Sequence, residues 1–101
     1  MPIANYMFQG PGFLTTTTLI NCPCVYVVFN RIRQPYRFLD VGLSEGGYPL
    51  NCNTRFTMWN CMSIGNLYYA YFPTPPEKYS MEERRVIVED LILICKPRCL
   101  N

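Results

Sequence analysis

The chain contains no histidine, so acid–base, nucleophilic or metal chemistry must rest on tyrosine, arginine, lysine, carboxylates or thiols. That excludes histidine-dependent triads and every histidine-containing metal site. Two side chains stand out by their setting. Tyr26 lies in the most apolar stretch, Val25-Tyr26-Val27-Val28-Phe29, where a tyrosine is either a core residue with a satisfied hydroxyl or a hydroxyl aimed at a substrate. Glu89 sits in a run of apolar residues from Val86 to Ile92, which argues against full exposure. It also follows Arg85 by four positions, so a helix-surface ion pair competes with metal binding. Asp40 is a strand-end turn residue or a second carboxylate near a metal. Arg55, taken by itself, is a solvated arginine. Arg31, Arg33 and Arg37 surround one turn and either contact phosphates without regard to sequence or keep that turn soluble. Tyr68, Tyr69 and Tyr71 alternate along one stretch, placed for packing on both faces, with base stacking as the alternative.

Six cysteines, at positions 22, 24, 52, 61, 95 and 99, need their own account. Neither Cys22/Cys24 nor Cys95/Cys99 has the spacing of a zinc knuckle, and Cys22-Pro23-Cys24 is awkward for a local disulfide. Free thiols packed as small apolar groups are expected. The first twenty residues lack a basic start and a continuous apolar core, because Asn5, Gln9, Gly10, Pro11 and Gly12 interrupt them. No stretch reaches the ~20 apolar residues of a membrane span. The expectation is a cytoplasmic protein with reduced thiols and no membrane partner.

These residues require elements to hold them. At 101 residues, half of them apolar, the chain is expected to form one packed domain. Its net charge of +2 is too small for a generally basic surface, so DNA contact has to be local. Residues 24–30 form the strongest strand, apolar enough to be buried on both faces. A polar turn with Pro35 leads to a second strand over 37–41, closed by Gly42. Gly46, Gly47 and Pro49 delay the next helix to about 50–62, with Leu50, Phe56, Trp59 and Met62 at roughly helical spacing. A third, tyrosine-rich strand covers 66–72. Ser80-Met81-Glu82-Glu83 is a capping box opening a helix over 81–95, which Pro97 stops. Ahead of these, residues 5–12 read as an irregular arm, and the threonine run within 13–20 favours an extended strand at a sheet edge. The fold class is therefore α/β (α+β): a three-stranded antiparallel sheet flanked by helices, with an N-terminal arm or edge strand over 1–23 and the main domain over 24–101.

The order strand, turn, strand, helix, strand, helix resembles the GIY-YIG nuclease domain. Its two short motifs are each half present: Cys24-Val25-Tyr26 keeps the tyrosine without the glycine, and Asp40-Val41-Gly42 keeps the glycine with aspartate in place of tyrosine. Lys96-Pro97-Arg98 with Asn101 is similar to the proline-then-asparagine ending after the family's glutamate-bearing helix. The resemblance implies a metal-dependent DNA endonuclease using magnesium or manganese, with no small-molecule cofactor. Tyr26 would be the base or orienting hydroxyl, Arg55 the phosphate clamp and Glu89 the metal ligand. At the family's usual interval from Gly42 the arginine position falls on Leu50; a five-residue insertion at Gly46-Gly47 brings Arg55 and Trp59 into place. The competing class is a non-catalytic nucleic-acid- or protein-binding module on the same fold, favoured by Asp40. A third class is a small thiol protein whose cysteines bind metal or respond to redox state. The tyrosine-rich strand and the apolar last helix leave room for a homodimer face.

Overall fold

The structure is a computed structural model that describes residues 1–15, 17–31, 36–50 and 53–99. Arg33, Cys52, Asn101 and the turn around Pro35 lie outside the described residues. The fold is α+β. The elements, in chain order, are β1 (Pro2–Ile3), β2 (Tyr6–Met7), β3 (Gln9–Phe13), β4 (Cys24–Asn30), β5 (Arg37–Ser44), α1 (Phe56–Met62), β6 (Leu67–Pro73) and α2 (Met81–Cys95). β1 and β2 form a small antiparallel hairpin, and the other strands form one antiparallel sheet in the order β3-β6-β4-β5.

β4 occupies an interior position in the sheet, paired on both sides, and every one of its seven residues is buried. That is why its sequence is continuously apolar rather than alternating. Its side chains divide between two cores. Cys24, Tyr26 and Val28 point to one face, with Leu39, Trp59 of α1, Leu67 and Cys99; Val25, Val27 and Phe29 point to the other, with Val41, Ala70, Ile3, Phe8, and Ile87 and Leu91 of α2. The two helices thus cover opposite faces of the sheet.

Three expectations are corrected. The sheet has four strands, because Gln9–Phe13, all but its last residue expected to be an irregular arm, pairs with β6 at Gln9↔Tyr71, Gly12↔Tyr69 and Phe13↔Tyr68. Cross-strand contact with tyrosines outweighs the weak strand propensity of Gly and Pro. Thr15 and Thr18, expected to be extended, meet in a turn instead: Thr15 N–H donates to Thr18 Oγ1 at 2.8 Å and Thr18 N–H to the Thr15 carbonyl at 3.2 Å, hydroxyls offering the backbone a local alternative to a ladder. The helix expected over 50–62 is described only from Phe56 to Met62. Leu50 instead donates its N–H to the Thr18 carbonyl at 2.9 Å.

α2 has the bounds its sequence predicts. Ser80 Oγ accepts from Glu83 N–H at 3.1 Å and Glu83 Oε1 from Ser80 N–H at 3.0 Å, which satisfies two of the orphan amides of the first turn. After Lys96, in the left-handed region at φ 48°, the chain returns to β5. Arg98 N–H and Cys99 N–H donate to the carbonyls of Phe38 and Leu39 at 3.2 and 2.7 Å. Among the described residues no helix is long and apolar enough to cross a membrane.

Candidate functional site

A β-bulge decides which face Asp40 meets. Val28 pairs with Asp40 and Phe29 with Phe38, so Leu39 is the extra residue. The bulge places Leu39 and Asp40 together on the face of Tyr26, where strict alternation would separate them. Two residues further on, Gly42 lies opposite Tyr26, whose ring packs against the glycine. A Cβ built on Gly42 would stand 2.5 Å from the Tyr26 hydroxyl and 2.6 Å from Cζ. Only a residue without a side chain lets the ring lie down there.

Around this bulge the structure assembles Tyr26, Asp40, Asn53, Arg55 and Trp59. Asp40 is 3% exposed. Its Oδ2 accepts from Arg55 Nε at 2.6 Å and from Trp59 Nε1 at 2.7 Å, while Oδ1 accepts from Val41 N–H at 2.9 Å. Asn53 Nδ2 donates to the Tyr26 hydroxyl at 2.8 Å, and Asn53 Oδ1 accepts from Arg55 N–H at 2.8 Å. Tyr26 and Trp59 meet edge to face at 6.0 Å. Burial, with the negative charge of Asp40 adding to it, raises the Tyr26 hydroxyl pKa well above the usual tyrosine value. A cavity of about 270 Å³ opens beside Tyr26 and Asn53, bounded by Ser44, Tyr48 and Pro49.

Glu89 is not part of this group. Ile87 and Leu91 turn α2 toward the opposite core, and Glu89, midway between them, is carried to the far side of the helix by the 3.6-residue period. It is exposed. Tyr26 and Arg55 therefore converge, and Glu89 lies on the other side of the sheet. The residues present do not fit a divalent cation held by Glu89 at this place. Asp40, the carboxylate that does face Tyr26, already has both oxygens accepting hydrogen bonds. Among the described residues no set of three or more thiols and carboxylates is gathered for metal binding.

The arginines sort differently. Arg37 Nη1 donates to Asn30 Oδ1 and to the Met62 carbonyl. Asn30 is fully buried and also donates to Ser63 Oγ at 3.0 Å and the Asn66 carbonyl at 2.8 Å, and accepts from Ile64 N–H at 3.0 Å. Arg37 thus helps tie the end of α1 to the sheet. Arg31 is exposed, and its guanidinium carbon stands 5.9 Å from the ring centres of both Tyr36 and Tyr68. Lys96 and Arg98 are exposed and share a cavity of about 470 Å³ with Tyr36, Arg37, Phe38 and Cys95, a lining that among the described residues has no carboxylate. Sequence inspection singled out Arg31 but passed over Lys96, Arg98 and Tyr36 as site residues. The signal was the basic pair flanking Pro97, which becomes a surface only because the chain folds back along β5.

The five described cysteines are unpaired, with Cys24 and Cys99 buried. Desolvation pushes the Cys24 thiol up to about 12 and that of Cys95 to about 11. Both behave as packing groups rather than nucleophiles. Compared with protein-family models, curated proteins and solved structures, the chain matches none.

Proposed function

We propose that this chain is a non-catalytic nucleic-acid-binding module with a GIY-YIG-like order of elements. The observation that carries the proposal is the fate of Arg55: its Nε is bound to the buried Asp40 carboxylate at 2.6 Å, so the cation a phosphoryl-transfer site would aim at substrate is paired with a carboxylate and holds the start of α1 against β5. Two further features agree with it. A general base works best with a pKa near the operating pH, and the Tyr26 hydroxyl is shifted away from that range by burial. The carboxylate that would hold a metal, Glu89, faces solvent from the opposite layer.

Binding is assigned to the end of the sheet where Arg31, Lys96 and Arg98 gather beside Tyr36 and Phe38. Cations on a surface without neighbouring carboxylates neutralise phosphates and release counterions, which gives affinity without sequence preference. Of the acidic side chains, Glu82 and Glu83 lie in the first turn of α2, Glu45 is held on Arg84 at 2.8 Å and Asp90 on the Tyr6 hydroxyl at 2.8 Å. A modest net charge thus coexists with a locally basic surface.

The test is fluorescence anisotropy with labelled oligonucleotides in magnesium or manganese, followed by electrophoresis of the same samples. Saturable binding of intact strands is expected, weakened by Arg31→Ala, Lys96→Ala and Arg98→Ala together, and unchanged by Glu89→Gln. Cleavage that Glu89→Gln abolishes would return the chain to the hydrolases.

A further inference from the structure

One row of rings crosses the sheet at the same end. Phe13 on edge strand β3 stacks on Tyr68 of β6 with centroids 4.8 Å apart and planes at 30°; Tyr68 stacks on Phe29 of β4 at 6.0 Å and 23°; Phe29 stacks on Tyr36, just before β5, at 5.2 Å and 24°. Pairing accounts for the alignment: Phe13 opposes Tyr68, and Tyr68 opposes Phe29. Phe29 is fully buried and anchors the row, whereas Phe13 is 59% exposed. Such exposure of a phenylalanine whose inner face is already stacked leaves a ring surface for a further flat group. Arg31 stands over the middle of the row, equidistant from Tyr36 and Tyr68.

We propose that the exposed ring of Phe13, with the half-buried Tyr68 and Tyr36 further along the row, stacks the unpaired bases of single-stranded nucleic acid, with Arg31, Lys96 and Arg98 taking the phosphates. The proposal rests on the nucleic-acid-binding function above and adds the state of the strand. Bases within a duplex are stacked on one another and offer no free face to a ring on a protein surface, whereas a single strand splays its bases onto aromatic side chains. Near-parallel rings beside three cations supply both halves of that recognition. Stacking is tolerant of base identity, so a preference for unpaired strands over duplex is expected without strong sequence specificity.

The experiment compares a labelled twelve-nucleotide oligo-dT, an oligo-U of equal length and a duplex of equal length against the intact chain and two variants at Phe13. The single strands should bind about tenfold or more tighter than the duplex, since one stacked base contributes on the order of 1–3 kcal/mol. Phe13→Leu keeps an apolar side chain on an exposed edge strand and should weaken single-strand binding about fivefold or more, with the thermal unfolding midpoint unchanged. Phe13→Trp should retain affinity, and its indole fluorescence should be quenched by the single strands and not by the duplex. Equal affinity for duplex and single strand, or an unquenched Phe13→Trp together with an unaffected Phe13→Leu, overturns stacking; phosphate binding then stands on the weaker affinity of the Arg31, Lys96 and Arg98 replacements. Failure of every oligonucleotide to bind overturns the binding function itself.

Discussion

Asp40 and Arg55 meet at 2.6 Å where the start of α1 packs on β5, with the aspartate side chain 4% exposed and that of the arginine still partly open to solvent. The Trp59 indole donates to the same carboxylate oxygen from α1. An aspartate that receives three protein donors is a structural centre rather than a vacant ligand.

Replacing Arg55 with alanine therefore tests stability before function. The variant leaves a buried carboxylate with only Trp59 and a backbone amide as donors, a loss on the order of 3 kcal/mol by the cost of breaking a buried pair, reduced by the partial exposure of the arginine. Urea unfolding should show the midpoint fall with an unchanged slope. Oligonucleotide affinity, measured below the unfolding transition, should stay the same.

The contact of Tyr26 with Gly42 gives a coupled prediction. Gly42→Ala drives a methyl into the phenol ring and should cost roughly 1–3 kcal/mol, the usual range for overpacking. In a Tyr26→Val background the ring is gone and the same alanine should cost much less. A double-mutant cycle by chemical denaturation reads the difference, and additive costs would show that the ring does not press on Gly42.

This cluster shows how far local sequence reaches. α2 is legible because its stop and start signals are local: Ser80 and Glu83 cap each other, and Pro97 follows the last turn. β4 is legible because burial on both faces demands an unbroken apolar run. The bulge at Leu39 is not, since nothing within 37–41 announces that two neighbours will share a face, and the shift depends on the partner strand. The edge strand Gln9–Phe13 is equally hidden: Gly10, Pro11 and Gly12 read as irregular, and only β6 makes them a strand. Glu89 illustrates the opposite error. Apolar neighbours in sequence suggested an inward carboxylate, yet Val86 within that run and Leu93 just beyond it are themselves exposed, so apolar neighbours do not place Glu89 inward.

Buried thiols predict a loss of stability in alkali. Cys24 rises from 9.0 to about 12 on folding, chiefly by desolvation. The unfolded chain therefore ionises first. Stability due to this group is fully present below pH 9 and falls as pH climbs toward 12, by about 1.4 kcal/mol per pH unit in that window. Denaturation under reducing conditions at pH 8 and pH 10 should show the decline, and Cys24→Ala should flatten it. In the native state at pH 8, exposed Cys61 should react with a thiol reagent well before buried Cys24 and Cys99.

Salt dependence reports the phosphate contacts. Each cation that neutralises a phosphate on a single strand steepens the plot of log affinity against log salt by about 0.7. Removing Arg31, Lys96 and Arg98 together should reduce the slope by roughly 2, whereas Arg84→Lys, at a cation buried on Glu45, should leave it unchanged.

The most direct test of non-hydrolytic binding is a single titration of labelled single-stranded DNA in manganese, read by anisotropy and then run on a denaturing gel, for the native chain, Glu89→Gln, and the triple replacement of Arg31, Lys96 and Arg98. The predicted result is saturable binding of strands that stay intact, identical for the native chain and Glu89→Gln and weakened in the triple variant. Strand cleavage by the native chain that Glu89→Gln eliminates would contradict it.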